Sequence, residues 1–232
     1  MKVNKKLVAD GLGNHPNRPM KSISKITIHT TGNRNPRATA EAHARLQAHG
    51  NNGRKASWHY TVDEKEIWQS FKDNQKCWHT GTKPGNENSI GIEICVNSQT
   101  GFANACKKAA WLTSALLKKY CLNMEDVTQH NHWSGKNCPA ELRSGEWNVD
   151  WQDFLNTVRL YLGKDENPAL RAMREAGIKF DGNHWRGVFE GTVSPEREWT
   201  KILTNRIIDK RWDQMDAELI QSAFKVLLGK SK

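Results

Sequence analysis

Between Thr128 and Pro139 the chain reads TQHNHWSGKNCP, which puts His130, His132, Lys136 and Cys138 in one short loop. Far upstream, Ile26-Thr27-Ile28-His29-Thr30-Thr31 places another histidine at the end of an apolar alternating run. Imidazole and thiolate are both good zinc ligands. Two histidines from separate segments and one thiolate make three ligands and leave a position open for water. Three protein ligands with an open position is the catalytic arrangement for zinc, whereas four closed ligands is the structural one. The chemistry expected of such a set is hydrolysis, here of an amide bond. On the residues alone, His132 competes with His130 for the same place.

The elements that must position these groups follow from the pattern of the chain. Lys2 to Met20 is polar and turn-rich and is expected as an arm over the surface. Lys25 to His29 is a short β-rich run, so His29 falls at a strand's end, where loops build sites. Thr39 to His49 is expected as a helix that Gly50-Asn51-Asn52-Gly53 stops. Ala56 to Val62 and Glu66 to Ser70 alternate like paired strands with Asp63-Glu64-Lys65 as their turn. Trp78 to Asn88 is expected as a long polar loop. Ser89 to Val96 is the strongest strand pattern: Ile90, Ile92 and Ile94 share one face, Glu93 falls on the other, and Gly91 allows close backbone approach. Asn104 to Tyr120 carries an apolar stripe at helical spacing, and Trp151, Phe154, Leu155, Val158 and Leu162 mark another helix, ended by Gly163.

Composition narrows the function classes. No apolar run approaches the roughly 18–20 residues of a membrane helix, and no apolar stretch of a secretory signal follows Lys2, Lys5 and Lys6. The net charge of +10 favours an anionic partner. No dense Lys/Arg block accompanies it, which argues against a nucleic-acid surface. The five cysteines are odd in number and lack a C-x-x-C pair, which fits reduced thiols better than a disulfide framework. Ten tryptophans leave carbohydrate stacking open.

Ile26–Thr31, Ala56–Val62 (ASWHYTV), Trp78-His79, Ser89–Ile94 (SIGIEI) and the stretch from His130 through Ser134-Gly135-Lys136-Asn137-Cys138-Pro139 occur in one order along the chain. Together they resemble the zinc-dependent N-acetylmuramoyl-L-alanine amidases, a family that includes phage endolysins, bacterial autolysins and peptidoglycan recognition proteins. The likeness covers roughly Lys21 to Leu162. It implies an α/β fold with a central mixed sheet flanked by helices. It also implies zinc held by His29, His130 and Cys138, so that His130 is preferred over His132. Glu93 would take a proton from water and pass it to the leaving amine, and Lys136 would stabilise the oxyanion. His79, Trp58 and Tyr60 are assigned to substrate binding. Some relatives carry a catalytic tyrosine just before the His59-Tyr60 position; Trp58 stands there in this chain and has no acid or base to offer. The implied partners are bacterial peptidoglycan and its anionic wall polymers, reached from the cytoplasm when the membrane is breached.

The expected organisation is a catalytic domain over 1–163, a charged linker at 164–167 and a small helical module over 168–232. That module weakly resembles the wall-targeting modules of lysins, with a dimerisation unit as its plainer rival. For the whole chain the rival reading is a peptidoglycan-binding module without activity.

Overall fold

The computed structural model of the chain describes residues 1–164. The expected helical module of 168–232 therefore lies outside the described residues. The sheet and the site belong to one compact unit, Met1–Ser114 with Met124–Tyr161.

Six strands form one sheet: β1 (Asn4–Lys5), β2 (Lys25–Thr30), β3 (Tyr60–Val62), β4 (Ile67–Gln69), β5 (Ser89–Ile94) and β6 (Val127–Gln129). Their spatial order is β1-β4-β3-β5-β2-β6. β3 and β4 pair antiparallel and every other neighbouring pair runs parallel. Among the described residues, six α-helices accompany the sheet: α1 (Ala40–Ala48), α2 (Lys83–Asn88), α3 (Phe102–Tyr120), α4 (His130–Ser134), α5 (Ala140–Ser144) and α6 (Trp151–Lys164). The fold is thus α/β with a mixed central sheet and flanking helices.

Side chains alternate along a strand, and residues in register on parallel neighbours share a face. Ile26, Ile28, Ile90, Ile92, Ile94, Tyr60, Val62 and Val127 fall on one face by this rule. The five isoleucines are completely buried, each contributing about 1.5–3 kcal/mol of apolar burial. Thr27, His29, Thr61, Gly91, Glu93 and Thr128 fall on the other face.

Four expectations are corrected by the structure. The N-terminal arm supplies an edge strand, because Asn4 and Lys5 pair with Trp68 and Gln69. The Ala56–Val62 strand is paired as β3 only from Tyr60, since Ser57 N–H bonds the Trp78 carbonyl and Trp58 N–H bonds Gln47 Oε1. The polar loop contains α2, whose Thr82 hydroxyl caps it and whose first turn holds Pro84. α6 runs through Gly163 to Lys164. The expected turn at Asp63 is present: Asp63 Oδ1 accepts from Lys65 and Glu66 N–H, while Oδ2 accepts from Ala40 N–H and ties the turn to the start of α1. All five cysteines are free thiols.

Candidate metal centre

His29 is the second-to-last residue of β2, and His130 opens α4 directly after β6. β2 and β6 are neighbours, so the strand ends bring the two rings together. Their Nδ1 atoms lie 3.1 Å apart. The chain then turns back at Gly135, which ends α4 in the left-handed region at φ 75°. Asn131 binds the returning strand of this loop: its N–H donates to the Cys138 carbonyl, and its side-chain amide donates to the Gly135 and Lys136 carbonyls. Arg143 holds the same loop through Asn137 and Gln129. Cys138 Sγ comes to 3.8 Å from His29 Nδ1. The ligand atoms of His29, His130 and Cys138 all lie within 4.8 Å of one another, and all three residues are buried. His132 is exposed, against the Trp133 ring, and stands outside this cluster.

The second nitrogen of the His29 ring is engaged on the protein side. His29 Nε2 lies 3.0 Å from His79 Nδ1, and His79 Nε2 lies 3.1 Å from the Ser89 carbonyl. Burial, and then the nearby His79 and His130, hold His29 well below the usual imidazole range. Burial pushes His79 down to about 3. Neutral imidazoles have a free lone pair, which is the form a metal takes. The Cys138 thiol is pushed up to about 12 by burial and the Glu93 carboxyl.

Glu93 sits beside His29 in register on β5, with Oε1 4.0 Å from His29 Nδ1. Its side chain is 15% exposed, and its Oε2 is buried without a hydrogen-bond partner. Burial raises its pKa to about 8, against the lowering effect of the Lys136 ammonium. Lys136 itself is exposed on the loop, close enough for its charge to act on His29, His130, Glu93 and Cys138.

The three residues assigned to substrate binding are placed differently from one another. Trp58 is half-buried, its indole N–H donating to Thr61 Oγ1, and Thr61 is in register with Glu93. It therefore lies on the side of the sheet that carries the site. Tyr60 lies on the opposite face, 5% exposed, in register with Ile92, with its hydroxyl donating to Asp73. His79 is buried behind His29. Trp58 and Tyr60 do not share a face, because Trp58 precedes the paired part of β3. Close by in sequence, the connection after β2 and helix α1 enclose a groove of about 250 Å³ lined by Asn33, Asn35, Arg37, Ala38, His43 and Leu46.

A donor set of two imidazole nitrogens and a thiol, with a partnerless carboxylate oxygen beside it, fits zinc with one open position. Residues 19–141, just over half the chain, match the family described as N-acetylmuramoyl-L-alanine amidase. The chain belongs to this amidase family. Among curated relatives, the N-acetylmuramoyl-L-alanine amidase XlyA of Bacillus subtilis is 41% identical over 205 residues, 85% of this chain and 62% of that protein. CwlH of the same organism is 37% identical over 147 residues, 61% of this chain and 56% of that protein. The chain thus spans less than two thirds of the length of these relatives. Among solved structures, the catalytic domain of XlyA superposes with a TM-score of 0.61 at 35% identity, over 68% of this chain and 99% of that domain. A mutant endolysin from Bacillus subtilis superposes at 0.62 with 37% identity, over the same shares.

Reasoning from the residues missed Asn86, whose side-chain oxygen accepts from His79 N–H and Thr80 N–H beside the site. The signal was present in the polar run from His79 to Asn88, whose density of Thr, Asn and Gly exceeds what a plain turn requires.

Proposed function

We propose that the chain is a zinc-dependent peptidoglycan hydrolase that cuts the amide bond between N-acetylmuramic acid and the L-alanine of the stem peptide. The observation that carries this reading is the convergence of His29, His130 and Cys138 with a partnerless Glu93 oxygen beside them. Bound by His29 Nδ1, His130 Nδ1 and Cys138 Sγ, zinc would supply Lewis acidity, lowering the pKa of water and polarising the scissile carbonyl.

The chain's own residues do the rest. Glu93 takes the proton of the attacking water and delivers it to the leaving amine of alanine. Lys136 stabilises the negative charge that develops on the carbonyl oxygen. The Trp58 indole, on the side of the sheet that carries Glu93, offers an apolar surface to the substrate. The groove of Asn33, Asn35, Arg37 and Leu46 offers amide, guanidinium and apolar contacts to the stem peptide. Tyr60 and His79 touch no substrate in this scheme. The likeness to a bacterial endolysin supports a lysin that reaches the wall through a membrane lesion. Residues 1–163 would carry the chemistry, 164–167 a linker, and 168–232 attachment to the wall and its anionic polymers.

The test is digestion of purified Gram-positive cell walls. New alanine amino termini without new reducing sugar ends are expected, and both chelator and Glu93→Ala should abolish them. Zinc bound with no release from any wall would replace this reading with that of a non-catalytic peptidoglycan binder.

A further inference from the structure

We infer that His79 is a brace that decides which ring nitrogen His29 turns to the metal. The inference rests on the zinc reading above and concerns a residue that touches neither metal nor substrate, so it is a positioning residue.

The argument follows one proton at a time. The Ser89 carbonyl only accepts, so the His79 nitrogen facing it, Nε2, carries the hydrogen. A neutral His79 then has a lone pair at Nδ1, and that atom faces His29 Nε2 at 3.0 Å. His29 Nε2 must donate, which leaves the lone pair of His29 on Nδ1, the atom that meets His130 and Cys138. The Ser89 carbonyl thus selects the tautomer of His29 through an intervening ring.

The brace is built to hold its place. Asn86 Oδ1 accepts from His79 N–H, Thr80 N–H and Thr80 Oγ1, each at 2.9 Å. Two glycines make room for His79 and Thr80. A Cβ at Gly91 would stand 2.7 Å from His79 Nδ1, and a Cβ at Gly85 would stand 2.4 Å from Thr80 Oγ1. Neither glycine needs a positive φ, so close approach alone explains the residue type. His79 is thus seated in a glycine gap and tied through its N–H to that amide oxygen.

The experiment measures zinc affinity by competition with a chromophoric chelator in the full chain. It also measures the melting temperature of the metal-free proteins. His79→Phe, which fills the space and removes the acceptor, is expected to weaken zinc binding about 10–100-fold, the range for outer partners of metal histidines. Its metal-free melting temperature should stay near that of the parent chain. His79→Asn, whose Oδ1 can stand where Nδ1 stood, should recover most of that roughly 10–100-fold loss. Equal affinity in the parent chain and His79→Phe overturns the brace while leaving the zinc reading intact. A parent chain that takes up no zinc overturns both. Should His79→Phe fail to fold, long-range ¹⁵N–¹H spectra of the zinc-loaded parent chain decide the matter. Hydrogens on Nε2 of both His29 and His79 support the brace, and a hydrogen on His79 Nδ1 overturns it.

Discussion

A single step along β5 separates two interiors. Ile92 points into a face made of five fully buried isoleucines and Val62. Glu93, the next residue, points into a face of His29, Thr27, Thr61 and the rings beneath them. The first face is stabilised by removing hydrocarbon from water and is tolerant of which hydrocarbon is used. The second is buried but polar, and every atom in it must find a partner or be left unsatisfied at a cost. Thr27 bonds Ser89, Trp133 bonds Thr27, and His59 bridges Gly91 N–H and the Gln75 carbonyl. Glu93 Oε2 is a buried atom on this face left without a bond. The comparison teaches that the sheet divides its labour by parity: one set of alternate residues holds the fold, and the other set is held by it.

Three predictions probe this division, the largest first. Glu93→Gln keeps shape and loses the base, so amidase turnover on cell walls should fall about 10²–10⁴-fold. Its thermal stability should equal or exceed that of the parent chain, because a buried carboxyl without a partner is removed. A stability loss comparable to a core mutation would erase the distinction between the faces. Ile92→Ala should do the reverse, costing about 2–5 kcal/mol in denaturant unfolding. Zinc affinity of its folded fraction should stay unchanged; a matching loss of zinc affinity would show that the two faces are not separable.

The third prediction concerns pH. Burial holds His59 down at about 4 in the fold, against 6.5 in an unfolded chain. Between these values the unfolded chain binds a proton that the folded one does not. Stability contributed by neutral His59 is therefore full above pH 6.5 and is lost as pH falls towards 4, by about 3 kcal/mol at most. Urea unfolding of metal-free protein across that window should show the decline, with a shallower slope in His59→Gln. An identical slope in the variant would remove His59 from the account.

Much of this was legible in the chain, for identifiable reasons. The parity of Ile90, Ile92 and Ile94 against Glu93 follows from strand geometry and is found in β5. The capped helix after Thr39 and the turn at Asp63 rest on local hydrogen bonds within a few residues. Local cues failed where the partner was distant. β6 has three residues, and only its pairing with β2 makes it a strand. Ala56 to His59 has a strand's pattern, yet a helix glutamine and the Trp78 loop take part of its backbone bonding. Tyr60 looked close to the site in sequence and lies on the opposite face, because it pairs in register with Ile92. His79 was assigned to substrate, and its hydrogen bonds set it behind His29.

The sequence by itself determined the chemical inventory: two histidines and a cysteine fit for zinc, a lone carboxylate in an apolar strand, and a lysine two residues from the thiol. These follow from residue type and short spacing, which no fold can alter. The tertiary structure alone decided which nitrogen of each ring faces the cluster and which histidine stands behind another. Those outcomes depend on contacts at 3 Å between segments fifty or more residues apart in the chain, such as His29 with His79 and His130. A tautomer is fixed by the partner across the hydrogen bond, and that partner exists only once the strands have paired.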